Sequence, residues 1–178
     1  MAERAEQLHS TANGQIEQLI GLLSSIDQAT LRLPCPGRQK LGDGTVGALV
    51  SHTADNYQRI AGFVQTSEGA PGAGQHGHGH SADNIDPTAV ITQLSAARDA
   101  LGRLAELTNG QLDAVPPKDS FRFCDGQRTL HQVLASLLKH QAHQLDSIQT
   151  TVALGGCDRD RADPRPSREP EPEPQAQP

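Results

Sequence analysis

Residues 129–156 read TLHQVLASLLKHQAHQLDSIQTTVALGG, and this stretch decides the fold. Leu130, Val133, Leu134, Leu137, Leu138, Leu145, Ile148 and Val152 recur at helical steps and form one apolar stripe. Thr129 followed by Gln132 fits a capping box at the start. Gly155-Gly156 predicts the stop. A long helix with one apolar face needs other elements to cover that face.

The same period recurs upstream. A first helix is expected from Ala2 to about Asp27, carried by Leu8, Ala12, Ile16, Leu19, Leu23 and Ile26. Leu33-Pro34-Cys35-Pro36-Gly37 forbids its continuation. Thr45 predicts the N-cap of a second helix reaching about Gln65, with Val46, Leu49, Val50, Thr53, Tyr57, Ile60 and Val64 on one face. Asp86-Pro87 opens a third helix bearing Val90, Ile91, Leu94, Ala97, Leu101, Leu104 and Leu107, which Asn109-Gly110 is expected to close. Residues 111–127 read as an irregular connection, with a short extended piece at Phe121 to Phe123. The expected architecture is therefore all-α, a four-helix bundle over residues 1–156. A flexible His/Gly loop at about 67–83 interrupts it, and a disordered Pro/Glu/Arg-rich tail at 157–178 follows it.

Composition agrees. Hydrophobic residues make up 35% of the chain, yet only Tyr57, Phe63, Phe121 and Phe123 are aromatic, so the core must be Leu, Ile, Val and Ala. That mixture suits helices better than strands. A net charge of −6 and the scarcity of aromatics argue against a nucleic-acid partner. No apolar run is long enough to span a bilayer, and the N-terminal MAERAEQLHSTANG lacks the apolar region of a secretory leader. Three cysteines at wide spacing (Cys35, Cys124, Cys157) predict reduced thiols and a cytoplasmic setting.

Histidine is the unusual resource, with eight residues. At 100° per residue and taking Leu137 as reference, Gln144 lies about 20° to one side, His140 about 60° and His143 about 120°. His140 and Gln144 are thus neighbours at the edge of the buried face, with His143 nearer solvent. On the second helix His52 stands about 100° from Thr53 and Asn56 about 60° on the same side. Boundary histidines on two helices can meet at the mouth of a bundle and hold a metal. A second histidine group, His76, His78 and His80, alternates with glycine and reads either as a metal-collecting loop or as a solvated insert. His9 and His131 are expected at the surface. Cys35 and Cys124 each precede a helix, where the dipole would favour a thiolate, and Cys157 is expected to be exposed.

Two segments carry a family resemblance: Leu33-Pro34-Cys35-Pro36-Gly37 followed by Thr45-Val46-Gly47-Ala48-Leu49-Val50-Ser51-His52, and Leu137-Leu138-Lys139-His140-Gln141-Ala142-His143-Gln144. They resemble the second-helix entry and the final-helix histidine motif of DinB-like bundles. The branch containing mycothiol-dependent maleylpyruvate isomerases is the most similar. The resemblance implies a divalent metal, zinc or nickel, held by His52, His140 and the residue four positions on, here Gln144 where a histidine is usual. His143 matches the adjacent histidine, and Arg38 stands where many relatives carry tryptophan. It further implies a thiol-dependent transferase or isomerase, with a low-molecular-weight thiol as cosubstrate and an electrophile as second substrate. A non-catalytic metal-binding or stress-response protein, and a scaffold that has lost its metal, are the competing readings. A homodimer is left open.

Overall fold

The computed structural model describes residues 3–38, 41–66 and 85–159, and every regular element in them is helical. The elements are α1 (Glu3–Ser25), α2 (Gln28–Leu31), α3 (Val46–Thr66), α4 (Pro87–Leu101), α5 (Asn109–Asp113) and α6 (Leu130–Arg159), with a 3₁₀ segment Gly102–Glu106 after α4. Among the described helices none is long and apolar enough to cross a membrane. The expected loop at 67–83, with His76, His78 and His80, lies outside the described residues, as does the tail from residue 160 onward.

The four long helices pack in a ring. α1 lies against α4 and α6, and α3 closes the circuit by lying against the same two. Their inner faces are the ones the spacing anticipates. Leu8, Ala12, Ile16, Leu19 and Leu23 of α1 are buried, as are Val46, Leu49, Val50, Thr53, Tyr57, Ile60 and Val64 of α3. α4 contributes Val90, Leu94, Ala97 and Leu101, and α6 contributes Leu130, Val133, Leu134, Leu137, Leu138, Leu145 and Ile148. Ile26, Ile91, Leu107 and Val152 are only half-buried at the margin of this core.

Local chemistry sets the starts. Thr45 Oγ1 accepts from the Ala48 amide at 3.2 Å and caps α3. Asp86 accepts from the Thr88 amide at 2.9 Å, with Pro87 in the first turn of α4. Thr129 and Gln132 close a reciprocal capping box on α6 at 3.0 and 3.3 Å. The segment between α2 and α3 is tied back by Cys35 N donating to Gly44 O at 2.8 Å and Val46 N donating to Leu33 O at 2.9 Å. Gly37 and Gly44, at φ of 76° and 74°, supply the left-handed turns this loop needs.

Four sequence expectations are corrected. The first helix stops at Ser25 instead of Asp27, because Asp27 caps a new turn, α2, by accepting from Thr30 N at 2.8 Å and Thr30 Oγ1 at 2.6 Å. Asn109-Gly110 does not close the third helix. That helix tightens to 3₁₀ after Leu101, and Asn109 opens α5 under a Thr108–Gln111 capping box. Phe121 to Phe123 is a turn, with Phe123 left-handed at φ 71° and Cys124 N donating to Phe121 O. Gly155-Gly156 does not stop the last helix, which continues to Arg159 and so past the boundary at 156. Glycine costs a helix only about 1 kcal/mol, and Gly155 carries no Cβ where the Leu33 side chain presses against α6.

Candidate functional site

The buried faces of α3 and α6 both carry polar side chains. On α6, Gln141 and Gln144 are each 1% exposed and Thr151 is 9% exposed. His140 is half-buried at the edge of this strip, and His143 is exposed. Opposite, α3 presents Thr53, fully buried, and His52, half-buried. The helical-wheel reading therefore holds for Thr53 as an interior residue, for His52 and His140 as boundary residues and for His143 as the outermost, whereas Gln144, expected at the edge, is fully interior.

Gln144 joins the two helices. Its amide lies 3.1 Å from His140 Nε2 on one side and 3.2 Å from Thr53 Oγ1 on the other. Thr53 has a single hydroxyl proton and two acceptors in reach, the Leu49 carbonyl at 2.7 Å and Gln144 Oε1. At the other end His140 Nε2 has one lone pair and faces two donors, Gln144 Nε2 and Arg122 Nη1, the latter at 3.2 Å. A half-turn of the Gln144 amide satisfies Thr53 and takes one donor away from His140, but sets an acceptor against the Nε2 lone pair. Nε2 then donates to the Thr53 oxygen, and the carbonyl oxygen turns towards His140.

Arg122 is the residue that spacing did not find. It comes from the connection before α6, where Asp119, Phe123 and Gly126 all take left-handed backbone angles. Asp119 N donates to Cys124 O at 2.8 Å and ties the turn. The guanidinium carbon sits 5.0 Å from the centroid of Phe123, and that ring meets His140 edge-on at 6.4 Å. Phe121, from the same turn, stacks on Phe63 of α3 at 4.6 Å. Arg38 approaches from the α2–α3 loop and donates to Ser147 Oγ at 3.1 Å, two turns along α6 from His140. Nothing in the sequence pattern around Arg122 marks it. Only the tight turn that returns the chain to α6 brings it to the histidine.

This environment favours neutral His140. Burial, first, lowers its pKa below the ordinary 6.5, followed by the positive neighbours Arg122, His52, Arg38 and His143. His52 is thus close enough to His140 to disfavour its charge.

The other expected residues fall elsewhere. Cys35 is buried, and its thiol reaches α6, 3.4 Å from Thr151 Oγ1 and 3.8 Å from the Ser147 carbonyl oxygen. Cys124 is also buried. Neither presents an exposed thiol at the mouth. The Cys157 side chain lies outside what is described. His9 and His131 are half-buried and not fully at the surface. Among the described residues, no group of three or more His, Cys, Asp or Glu side chains could hold a metal. His52 and His140 supply two such donors, and the third expected ligand is the amide of Gln144. Asn56 Nδ2 and Gln141 Oε1, both buried, have no hydrogen-bond partner among the described residues.

The chain matches no family model, no curated protein and no solved structure.

Proposed function

We propose that the protein is a DinB-like four-helix bundle that binds a divalent transition metal, zinc or nickel, through His52, His140 and Gln144, with His143 at the rim. One observation carries this reading: the Gln144 amide and the His140 Nε2 lone pair converge at 3.1 Å. With the amide turned to suit Thr53, two lone pairs face each other across that distance, an arrangement that calls for a proton or a cation. Two imidazole nitrogens and an amide oxygen are a donor set that borderline ions accept. Depression of the His140 pKa keeps its ring neutral, the form that ligates.

Arg122 is exposed, so its guanidinium can leave Nε2 for another partner. Thr53 holds the Gln144 amide in place, and the buried face of α6 fixes its rotamer. A bound ion would supply Lewis acidity that lowers the pKa of a thiol, the chemistry of a thiol-dependent transferase or isomerase. A low-molecular-weight thiol of the mycothiol type is the proposed cosubstrate, with an electrophile as second substrate.

A second reading, a bundle that works without metal, is favoured by the Arg122 contact itself, which gives the His140 lone pair a donor from within the chain. Calorimetric titration of zinc and nickel separates the two. The background is an untagged chain lacking residues 75–80, so that His76, His78 and His80 do not contribute. The expected result is one ion per chain, with affinity lowered at least about tenfold by His52→Ala and by His140→Ala, since even outer-shell changes cost that much. Absence of saturable binding, or parent affinity retained in both variants, would sink the metal reading. Metal-dependent conjugation of a low-molecular-weight thiol to 1-chloro-2,4-dinitrobenzene then tests the reaction.

A further inference from the structure

Among the described residues, the two arginines at the mouth of the site have no carboxylate ion-pair partner. Acidic residues outnumber Lys and Arg by 21 to 15 across the chain. Elsewhere Arg4 pairs with Asp113 at 2.9 Å and Arg128 with Asp125 at 3.2 Å. Yet among the described residues neither Arg38 nor Arg122 forms an ion pair with a carboxylate. Each makes its contact on the same helix: Arg122 Nη1 with His140 Nε2, and Arg38 Nη2 with Ser147 Oγ. Those contacts are seven residues apart, two turns and about 10 Å along one face of α6. Gln144 lies between them. In a chain with surplus acid, two guanidiniums bracketing one strip without a carboxylate leave room for an anion from outside.

The walls narrow the class of anion. Phe123 lies beneath the Arg122 guanidinium and edge-on to His140, so the cation sits beside an apolar aromatic surface. The first turn of α6 begins at Leu130, ten residues or about 15 Å from His140. Its free amides, a common phosphate cradle, are therefore out of reach. Guanidinium forks match a planar two-oxygen group.

We propose that Arg122, with Arg38 adding a second positive charge further along α6, forms a binding site for a small carboxylate with a flat apolar body, seated over Gln144 and against Phe123. The site shares its mouth with the metal ligands of the preceding section but does not need an ion to be present. The carboxylate takes the Arg122 N–H groups that now face His140, and binding therefore frees the Nε2 lone pair.

Benzoate is the probe, titrated by two-dimensional NMR into the full chain in a chelating buffer and again with one equivalent of zinc. Saturable shifts are expected in the chelated protein, including the His140 ring and the Phe123 aromatic signals. Arg122→Gln should weaken binding by about tenfold, the loss of one charge-assisted contact, and Arg38→Gln by less, because Arg38 meets α6 about 10 Å further along. Arg59→Gln serves as control: it removes a cation that faces Phe121 on the other side of the turn, and it should leave the affinity unchanged. Inorganic phosphate should bind more weakly than benzoate. No saturation by 10 mM benzoate, on the order of the weak limit for a specific small-ligand site, would overturn the proposal. So would equal losses in all three variants, or a preference for phosphate. Failure of zinc binding with benzoate binding intact would reject the metal reading alone.

Discussion

α1 and α6 run side by side and are built to different rules. Every buried residue of α1 is apolar: Ala5, Leu8, Ala12, Ile16, Leu19 and Leu23. On α6 the same periodic face carries Gln141, Gln144 and Thr151 among its leucines, and His140 at its edge. A buried amide oxygen left without a partner costs about 1–3 kcal/mol, and Gln141 Oε1 on α6 has none among the described residues. One helix serves packing alone. The other carries the polar groups on which the proposed site depends.

The contrast sets the size of what substitutions should do. Ile16→Ala on α1 deletes a fully buried side chain and should lower unfolding stability by about 2–5 kcal/mol in a denaturant titration. The His140 titration should not move. A shifted His140 midpoint in this variant would mean that the two helices cannot be treated separately.

Tyr57 is the intermediate case, a polar group inside the apolar region. Its hydroxyl donates to Gln15 Oε1 at 2.8 Å, and Gln15 Nε2 donates to the Leu138 carbonyl at 3.2 Å, joining α3, α1 and α6. Burial holds the phenol well above its ordinary pKa, so it stays protonated and keeps donating. Tyr57→Phe leaves Gln15 Oε1 short of a donor and should cost about 1 kcal/mol. A gain in stability would show that the network is not a net contributor.

The smallest stability effect, and the most informative for the site, belongs to Arg122→Gln. As an exposed change it should alter stability by less than about 0.5 kcal/mol, while the His140 midpoint measured by NMR rises because a neighbouring cation is gone. An unchanged or lower midpoint would contradict the contact. The sign in the parent follows from linkage. The pKa of His140 lies below 6.5 in the folded chain, so as pH falls through 6.5 the unfolded chain takes up its proton first. The contribution of neutral His140 is complete above 6.5, declines as pH falls towards the folded value and levels below it. Asp113 and Asp125 act in a separate window. Arg4 lowers the pKa of the first, and the Arg128 and Gln127 amides lower that of the second, so their contributions fade only as pH drops below 3.8.

Much of this was legible in the chain. Apolar spacing named the inner faces of all four long helices, because a helix of 3.6 residues per turn buries one stripe regardless of its partner. The caps at Thr45, Asp86 and Thr129 were legible for a similar reason: a side chain that accepts from an amide two or three residues away needs no tertiary help. The angular offsets of His52, His140, His143 and Gln144 follow from the same period. The errors fell where a distant contact favoured helix, as at Gly155, or where a local cap was overlooked, as at Thr108. Gly155 permits helix where Leu33 crosses it, and Thr108 restarts a helix at the residues that read as a terminator.

What the sequence by itself determined is a set of amphipathic helices, two of them with histidine or glutamine at a known angle from the apolar face. What only the tertiary structure decided is which of those polar groups meet. Thr53 reaches Gln144 across 91 positions of sequence, and Arg38 reaches Ser147 across 109. Arg122 reaches His140 through a turn with left-handed residues. Period fixes the direction of a side chain on its own helix. Only the packing of one helix against another, and the path of the loops between them, sets the distance to its partner.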